Sequence, residues 1–352
     1  MRIQDVRTPA LLLDLDAVES NIRQMADFFR DKPAKLRPHF KNHKTPMLAW
    51  KQIDAGAIGL CCATMREAEI LVQHGIRSIL LATEISTEDK LHWMADLSRH
   101  ADLIVAVDDE RVVEAMGCIA RKRRIPLSVV VDCNVGLNRC GVMPGEAACR
   151  LAKRVAAEEG LRFRGLMGYE GHLQALPPGE ERDRLATVVA KSLVDSRKLI
   201  EAEGIGVEIV SSSGSGTFGI AGAFPGITEI QAGSYLLMDN IYVQRGATFK
   251  RSLTLLVSVV SRPEPHRGVV DSGVKELSAE RGLSTVKGFE GVELKALHAE
   301  HGLLEIKNPD TGPQVGQKIE LWVHYSDATV NLHREMYGVR NGEIEEVLPI
   351  VH

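Results

Sequence analysis

Leu36-Arg-Pro-His-Phe-Lys-Asn-His-Lys-Thr45 is the stretch on which the reading of the fold turns. The short apolar and basic run Lys35 to Lys41 predicts a strand, and Lys41 stands where that strand should end. His39, His43 and Lys44 crowd around it. Each like charge disfavours the ammonium form of a lysine, so Lys41 has a reason to titrate low, and a neutral amine can form a Schiff base. The plain alternative is a basic turn covering a barrel end.

Working outward, Thr8-Pro-Ala-Leu-Leu-Leu-Asp-Leu-Asp16 predicts a strand, and Asp16 then caps a helix over 17–30. Strand-like runs follow at 36–41, 58–63, 78–83, 103–107, 127–132, 164–169, 207–212 and 229–232. Segments of helical period separate them, at 46–55, 65–74, 87–99, 109–122, 145–159, 181–203 and 216–222. The runs are apolar throughout, as parallel strands buried on both faces should be. About eight such units predict an α/β fold of the (β/α)8 TIM-barrel type, with an open doubly wound sheet as the structural alternative.

Past residue 250 the helical period disappears. Short alternating runs at 253–260, 268–271, 292–298, 303–306, 318–323, 336–339 and 343–348 predict a C-terminal antiparallel β domain. The expected division is a barrel over 17–248 and a β domain made of 1–16 plus 249–352.

The chain has 352 residues, too many for one small core, and its 44% hydrophobic and 26% charged content is that of a soluble globular protein. A formal net charge of -4 gives no reason to propose nucleic acid or a membrane surface as a partner. No apolar run reaches membrane-spanning length, and Met1-Arg-Ile-Gln-Asp has no signal-peptide core, so a cytoplasmic location is expected. The six cysteines contain no CxxC and read as reduced, mostly buried thiols.

Barrel enzymes place their chemistry at the C-terminal ends of the strands. Those ends offer Lys41, Cys62-Ala-Thr64, Thr83-Glu84, Asp108-Asp109, Asp132, Tyr169-Glu-Gly-His172, Ser211-Ser-Ser-Gly-Ser-Gly-Thr217 and Gly233-Ser-Tyr235. Small residues after the seventh strand let several backbone N–H groups point at one anion, and barrels commonly bind phosphate after strands seven and eight. A phosphate at one side of the mouth and a lysine at another point to pyridoxal 5'-phosphate as cofactor.

Thr8 to Asp16, Arg37-Pro-His-Phe-Lys-Asn-His-Lys44, Gly59-Leu-Cys-Cys-Ala-Thr64, Gly136-Leu-Asn-Arg-Cys-Gly141, Gly233-Ser-Tyr-Leu-Leu-Met-Asp239 and Glu300-His-Gly302 together carry a resemblance. From residue 8 onward the chain resembles the D-threonine aldolase and D-serine dehydratase-like family, a branch of the alanine racemase fold (PLP fold type III). The resemblance implies a PLP-bearing barrel, a C-terminal β domain and a homodimer. It makes Lys41 the Schiff-base lysine, Arg139 the partner of the cofactor's phenolic oxygen, and Tyr169 the contact at its ring nitrogen. Ser213, Gly214, Ser215 and Gly216, with Gly233, Ser234 and Tyr235, would hold the phosphate.

The same resemblance implies a divalent metal, Mn, Mg or Zn, held by a His and an Asp or Cys two residues apart. This chain reads His324-Tyr-Ser-Asp327-Ala-Thr-Val-Asn-Leu332. Asp327 takes the second ligand's place, Tyr325 stands where the histidine would, and His324 adjoins it. On a strand, 325 and 327 would share a face, with His324 turned away unless a bulge intervenes. The aldolases also carry a histidine six residues beyond the tyrosine. Here that position is Ala175, and His172 lies three beyond, either as the base or as a satisfied polar residue. His39 and His301 are further acid–base candidates.

The reaction expected on these grounds is retro-aldol cleavage of a β-hydroxy D-amino acid, of D-threonine or D-3-hydroxyaspartate type, to glycine and an aldehyde. A D-serine or D-threonine dehydratase is the alternative, followed by an amino-acid racemase. A non-catalytic PLP-binding protein would lack the C-terminal β domain.

Overall fold

The computed structural model describes residues 1–352. After an N-terminal strand β1 (Ala10–Asp14), the parallel strands run β2 (Lys35–Leu36), β3 (Leu60–Cys62), β4 (Ser78–Leu81) and β5 (Asp102–Val107). They continue with β6 (Leu127–Asp132), β7 (Leu161–Gly168), β8 (Ile209–Ser212) and β9 (Glu229–Ile230). The eight strands from β2 onward form one sheet, ordered β2-β9-β8-β7-β6-β5-β4-β3. Its two ends meet: Ile58 N donates to Leu36 O and Cys61 N to Pro38 O, both at 2.9 Å. The sheet is therefore a closed barrel, and the open-sheet alternative falls away.

Two of the helices that follow barrel strands begin at polar side chains that cap them. Thr64 Oγ1 accepts Glu67 N at 3.1 Å while Glu67 Oε2 accepts Ala63 N at 2.7 Å, a reciprocal pair that starts helix Met65–Gln73. Asp109 does the same alone, accepting Arg111 N at 2.7 Å at the head of Glu110–Arg123. Cys61, Leu80, Ile104, Ala106, Val130, Met167 and Ile209 meet in one buried cluster drawn from six successive strands. That is the filling of a barrel interior.

The remaining strands are β10 (Leu253–Glu264), β11 (Arg267–Val270), β12 (Thr285–Lys287) and β13 (Val292–Leu297). After them come β14 (Gly302–Ile306), β15 (Lys318–Trp322), β16 (Glu335–Arg340) and β17 (Glu343–Pro349). Their sheet has the order β13-β14-β11-β10-β1-β16-β17, with β15 on β10 and β12 on β15. The N-terminal strand joins this sheet, pairing antiparallel with β10 and parallel with β16.

Two compact units result: Met25–Lys41 with Leu48–Gly233, and Met1–Gln24 with Asn42–Met47 and Ser234–His352. The second takes up the first helix turns because the Asn21 amide donates to Leu236 O and Lys250 O and accepts Lys250 N. No helix is long and apolar enough to cross a membrane.

Two local expectations change. The strand predicted through Lys41 ends at Leu36, and Lys41 lies in a 3-10 turn, Phe40–Asn42. Backbone pairing runs on as far as His39, whose N donates to Ala232 O at 3.4 Å; beyond it His39 Nδ1 accepts Lys41 N at 3.4 Å and buried His43 Nδ1 accepts Thr45 N at 3.1 Å, so side chains bond the turn. Residues 325–327 do not continue a strand either, since Ser326–Val330 is a helix.

Candidate active site

The C-terminal end of the barrel collects the residues that sequence singles out. Lys41 is half-buried beside β3, close enough for its charge to act on the Cys61 thiol. Burial pushes that thiol up, so Cys61 stays protonated, and its Sγ donates to Gln231 Oε1 at 3.5 Å. Gly233 lies on His39: a Cβ there would sit 2.8 Å from His39 O, so only glycine lets the chain pass.

Arg139 rides on a loop whose shape is fixed by its own polar residues. Asn134 Oδ1 accepts both Gly136 N and Asn138 N at 3.1 Å, and Gly141 N donates to Asp108 Oδ2 at 2.9 Å. The loop carries the Arg139 guanidinium to 5.9 Å from the centre of the Tyr169 ring. The Tyr169 ring also meets the glycine of the seventh loop, where a Cβ on Gly214 would lie 3.2 Å from Tyr169 Cε2. Tyr169 thus neighbours both the Arg139 guanidinium and the small-residue loop.

Beyond Tyr169 the chain enters the 3-10 turn Gly171–Ala175. With three residues per turn, positions i and i+3 eclipse, so His172 and Ala175 share one face. Both are exposed. The His172 ring lies on Gly136, where a Cβ would be 3.0 Å from its Cε1.

A carboxylate cluster adjoins Arg139. Burial and a hydrogen bond to Glu84 push Asp132 up to about 8. Burial and Glu84 likewise push the Cys140 thiol up to about 11. Glu84, Asp108 and Cys140 bring ligand-type atoms within 4.8 Å of one another. Beside them Asp132 is raised by burial, with the Arg139 charge opposing the shift, and Asp108 already serves Gly141 N. Sequence reading placed these acids at strand ends but gave no sign that they would pair.

The remaining predicted residues belong to the other compact unit. Tyr235 is fully buried with its ring 5.6 Å from Phe249, and Ser234 hydrogen-bonds Tyr242. His324 is 8% exposed, its Nε2 is 3.0 Å from Arg281 O and its buried Nδ1 has no hydrogen-bond partner. A Cβ on Gly282 would lie 2.6 Å from that Nε2. Asp327 Oδ1 accepts Asn42 Nδ2 at 2.6 Å. Burial and the Asp327 charge push the Tyr325 phenol up, and the Arg281 guanidinium lies 4.6 Å from its ring centre.

A divalent metal needs deprotonated ligands and repels a neighbouring cation. A protonated phenol under an arginine does not fit one, so Tyr325 is no ligand, whereas the His324 Nε2 bond to a carbonyl leaves its buried Nδ1 without a partner. His324 and Asp327 belong to no set of three grouped ligand-type side chains. His301 is exposed in the same unit, away from any such set.

A parallel barrel with a lysine, a guanidinium, a phenol and a small-residue turn at its mouth, in a chain that also builds a β domain, defines the alanine racemase class. The match to the alanine racemase N-terminal domain covers residues 13–241, and that to a putative serine dehydratase domain covers 252–339. The chain belongs to this family, on its D-threonine aldolase and D-serine dehydratase-like branch.

It is 33% identical to a 3-hydroxy-D-aspartate aldolase of Paracoccus denitrificans (strain Pd 1222), over 98% of this chain and 92% of that one. It is 32% identical to a D-threonine aldolase of Arthrobacter sp, with the same coverage. The crystal structure of D-threonine aldolase from Filomicrobium marinum superposes with a TM-score of 0.95 at 35% identity, covering 99% of this chain and 96% of that one.

Proposed function

We propose that this protein is a PLP-dependent lyase that cleaves a β-hydroxy D-amino acid to glycine and an aldehyde. The observation that carries the reading is the proximity of Arg139 and Gly214 to Tyr169 at the barrel mouth, in a chain similar to aldolases over nearly its whole length.

The donor set fits the cofactor. Lys41 Nζ would hold its aldehyde carbon, Arg139 its phenolic oxygen, Tyr169 its ring nitrogen, and the turn of Ser213, Gly214, Ser215 and Gly216 with Gly233 its phosphate. Bound there, pyridoxal phosphate supplies an electron sink for the pair left on Cα when the Cα–Cβ bond breaks. The exposed His172 takes the proton from the β-hydroxyl oxygen, which leaves as the aldehyde carbonyl, and a proton returned to Cα completes glycine. His172 can do this because it stands one 3-10 turn before Ala175 on the same face. No step is assigned to a metal. Hydroxide is a poor leaving group, so dehydration would depend more on a Lewis acid than cleavage does.

The test is incubation with D-threonine and PLP, following acetaldehyde and 2-oxobutyrate together, with and without EDTA. Acetaldehyde with equimolar glycine is expected; loss with EDTA and recovery with Mn²⁺ would add a metal to the site, and no effect of EDTA would mark a metal-free cleavage. Lys41→Ala should abolish it and His172→Ala should lower kcat about 100-fold or more. Predominant 2-oxobutyrate would make the protein a dehydratase, and inverted amino acid a racemase. The homodimer that the resemblance implies is checked by light scattering on the same preparation.

A further inference from the structure

The turn that carries Tyr169 and His172 also grips the 213–217 loop. Glu170, 1% exposed, accepts Ser213 N at 3.2 Å, the Ser212 hydroxyl at 3.4 Å and the Thr217 hydroxyl. Gln174, 6% exposed, accepts Gly216 N at 2.8 Å and donates its Nε2 to Thr217 Oγ1 at 2.8 Å. Ser213 Oγ and Thr217 Oγ1 close the ring of contacts at 2.9 Å.

The grip holds a shape the loop would not keep by itself. Ser213 sits at φ +73, a left-handed conformation that costs a non-glycine residue about 1 kcal/mol or more. Gly214 has no room for a side chain, since a Cβ would meet Tyr169 Cε2 and Gln174 Cδ, each at 3.2 Å. A buried carboxylate next to a loop that receives an anion is electrostatically unfavourable. The hydrogen bonds that Glu170 accepts offset that cost only if the loop geometry matters.

We infer that Glu170 and Gln174 are positioning residues that hold the 213–217 backbone in its anion-receiving shape before the phosphate arrives. The inference rests on the reading that this loop takes the cofactor's phosphate. It refines that reading, because the N–H groups of Ser213 and Gly216 serve the clamp rather than the ligand. It also ties phosphate recognition to the turn bearing Tyr169 and His172.

The clamp acts on the phosphate and not on the rest of the cofactor, so two ligands separate it from a general structural role. Affinities of the full chain for PLP and for pyridoxal, which lacks the phosphate, are measured by equilibrium dialysis, with thermal unfolding of the ligand-free protein alongside. Gln174→Ala and Glu170→Ala should each weaken PLP binding about tenfold or more and leave pyridoxal binding within twofold. Glu170→Gln keeps an acceptor for Thr217 but turns an amide NH2 toward Ser213 N, so it should fall between, and it serves if Glu170→Ala does not fold.

Equal losses for both ligands, or a lower melting temperature with unchanged affinities, would overturn the inference. So would tighter PLP binding by Gln174→Ala, which would mean that Gln174 competes with the phosphate for Gly216 N–H. If the wild type itself fails to prefer PLP over pyridoxal, the cofactor reading fails first and the clamp with it.

Discussion

Asp132 shows how far a single residue can be moved by its place in the fold. In the sequence it is one acid at the end of an apolar run; in the structure burial and the bond to Glu84 carry it to about 8. From the ordinary carboxylate range up to about 8, the folded chain keeps a proton that the unfolded chain has given up. This contribution to stability is therefore full at low pH and is lost as pH rises toward 8. Asp132→Asn removes the titration, so the melting temperature of the wild type relative to the variant should drop steadily from pH 5 to pH 8. Parallel curves would show that burial does not raise Asp132. The same residue scale limits what sequence could reveal: His172 was visible as a candidate, but Glu170 and Gln174 had no signal until their partners at 213–217 were in place.

At the scale of elements, one buried ion pair braces the strands next to where the barrel closes. Arg37, just past β2, meets Glu229 on β9 at 3.0 Å with side chains 6% and 3% exposed, and its Nη1 donates to Ser78 Oγ on β4 at 2.9 Å. Gly59 is confined by the same group, for a Cβ there would lie 2.6 Å from Arg37 Nη1. Removing one partner leaves an uncompensated buried charge, so Arg37→Ala should cost about 3–5 kcal/mol, read as a shift of the urea midpoint. A shift under about 1 kcal/mol would mean that water reaches Glu229. Most barrel strands were legible because a run such as Leu103 to Val107 is buried on both faces and can afford no polar residue. The strand through Lys41 was read too long because His39 and His43 side chains take over backbone bonding there. Helix Ser326–Val330 was missed because its start is set from outside, by Asp239 Oδ2 accepting Ser326 N at 2.9 Å.

For the molecule as a whole, ligand linkage offers a check independent of turnover. A cofactor that binds only the folded chain raises its melting temperature in proportion to RT ln(1 + [L]/Kd). Added PLP should therefore stabilise the wild type by several degrees, and the gain should shrink sharply in Lys41→Ala; equal gains in both would remove Lys41 from the site. What the sequence by itself determined is the alternation of elements, the β region that follows and the lysine, arginine, tyrosine and glycine positions at the strand ends. Those depend on burial, period and chain geometry, which are local properties. Only the tertiary structure decided that the sheet closes, that Asp132 is buried against Glu84, that Tyr325 lies under an arginine, and that Glu170 and Gln174 clamp a loop some forty residues away. Each is an interaction between side chains distant in sequence, and neither the spacing nor the protonation of such groups exists until the fold has brought them together and removed the water between them.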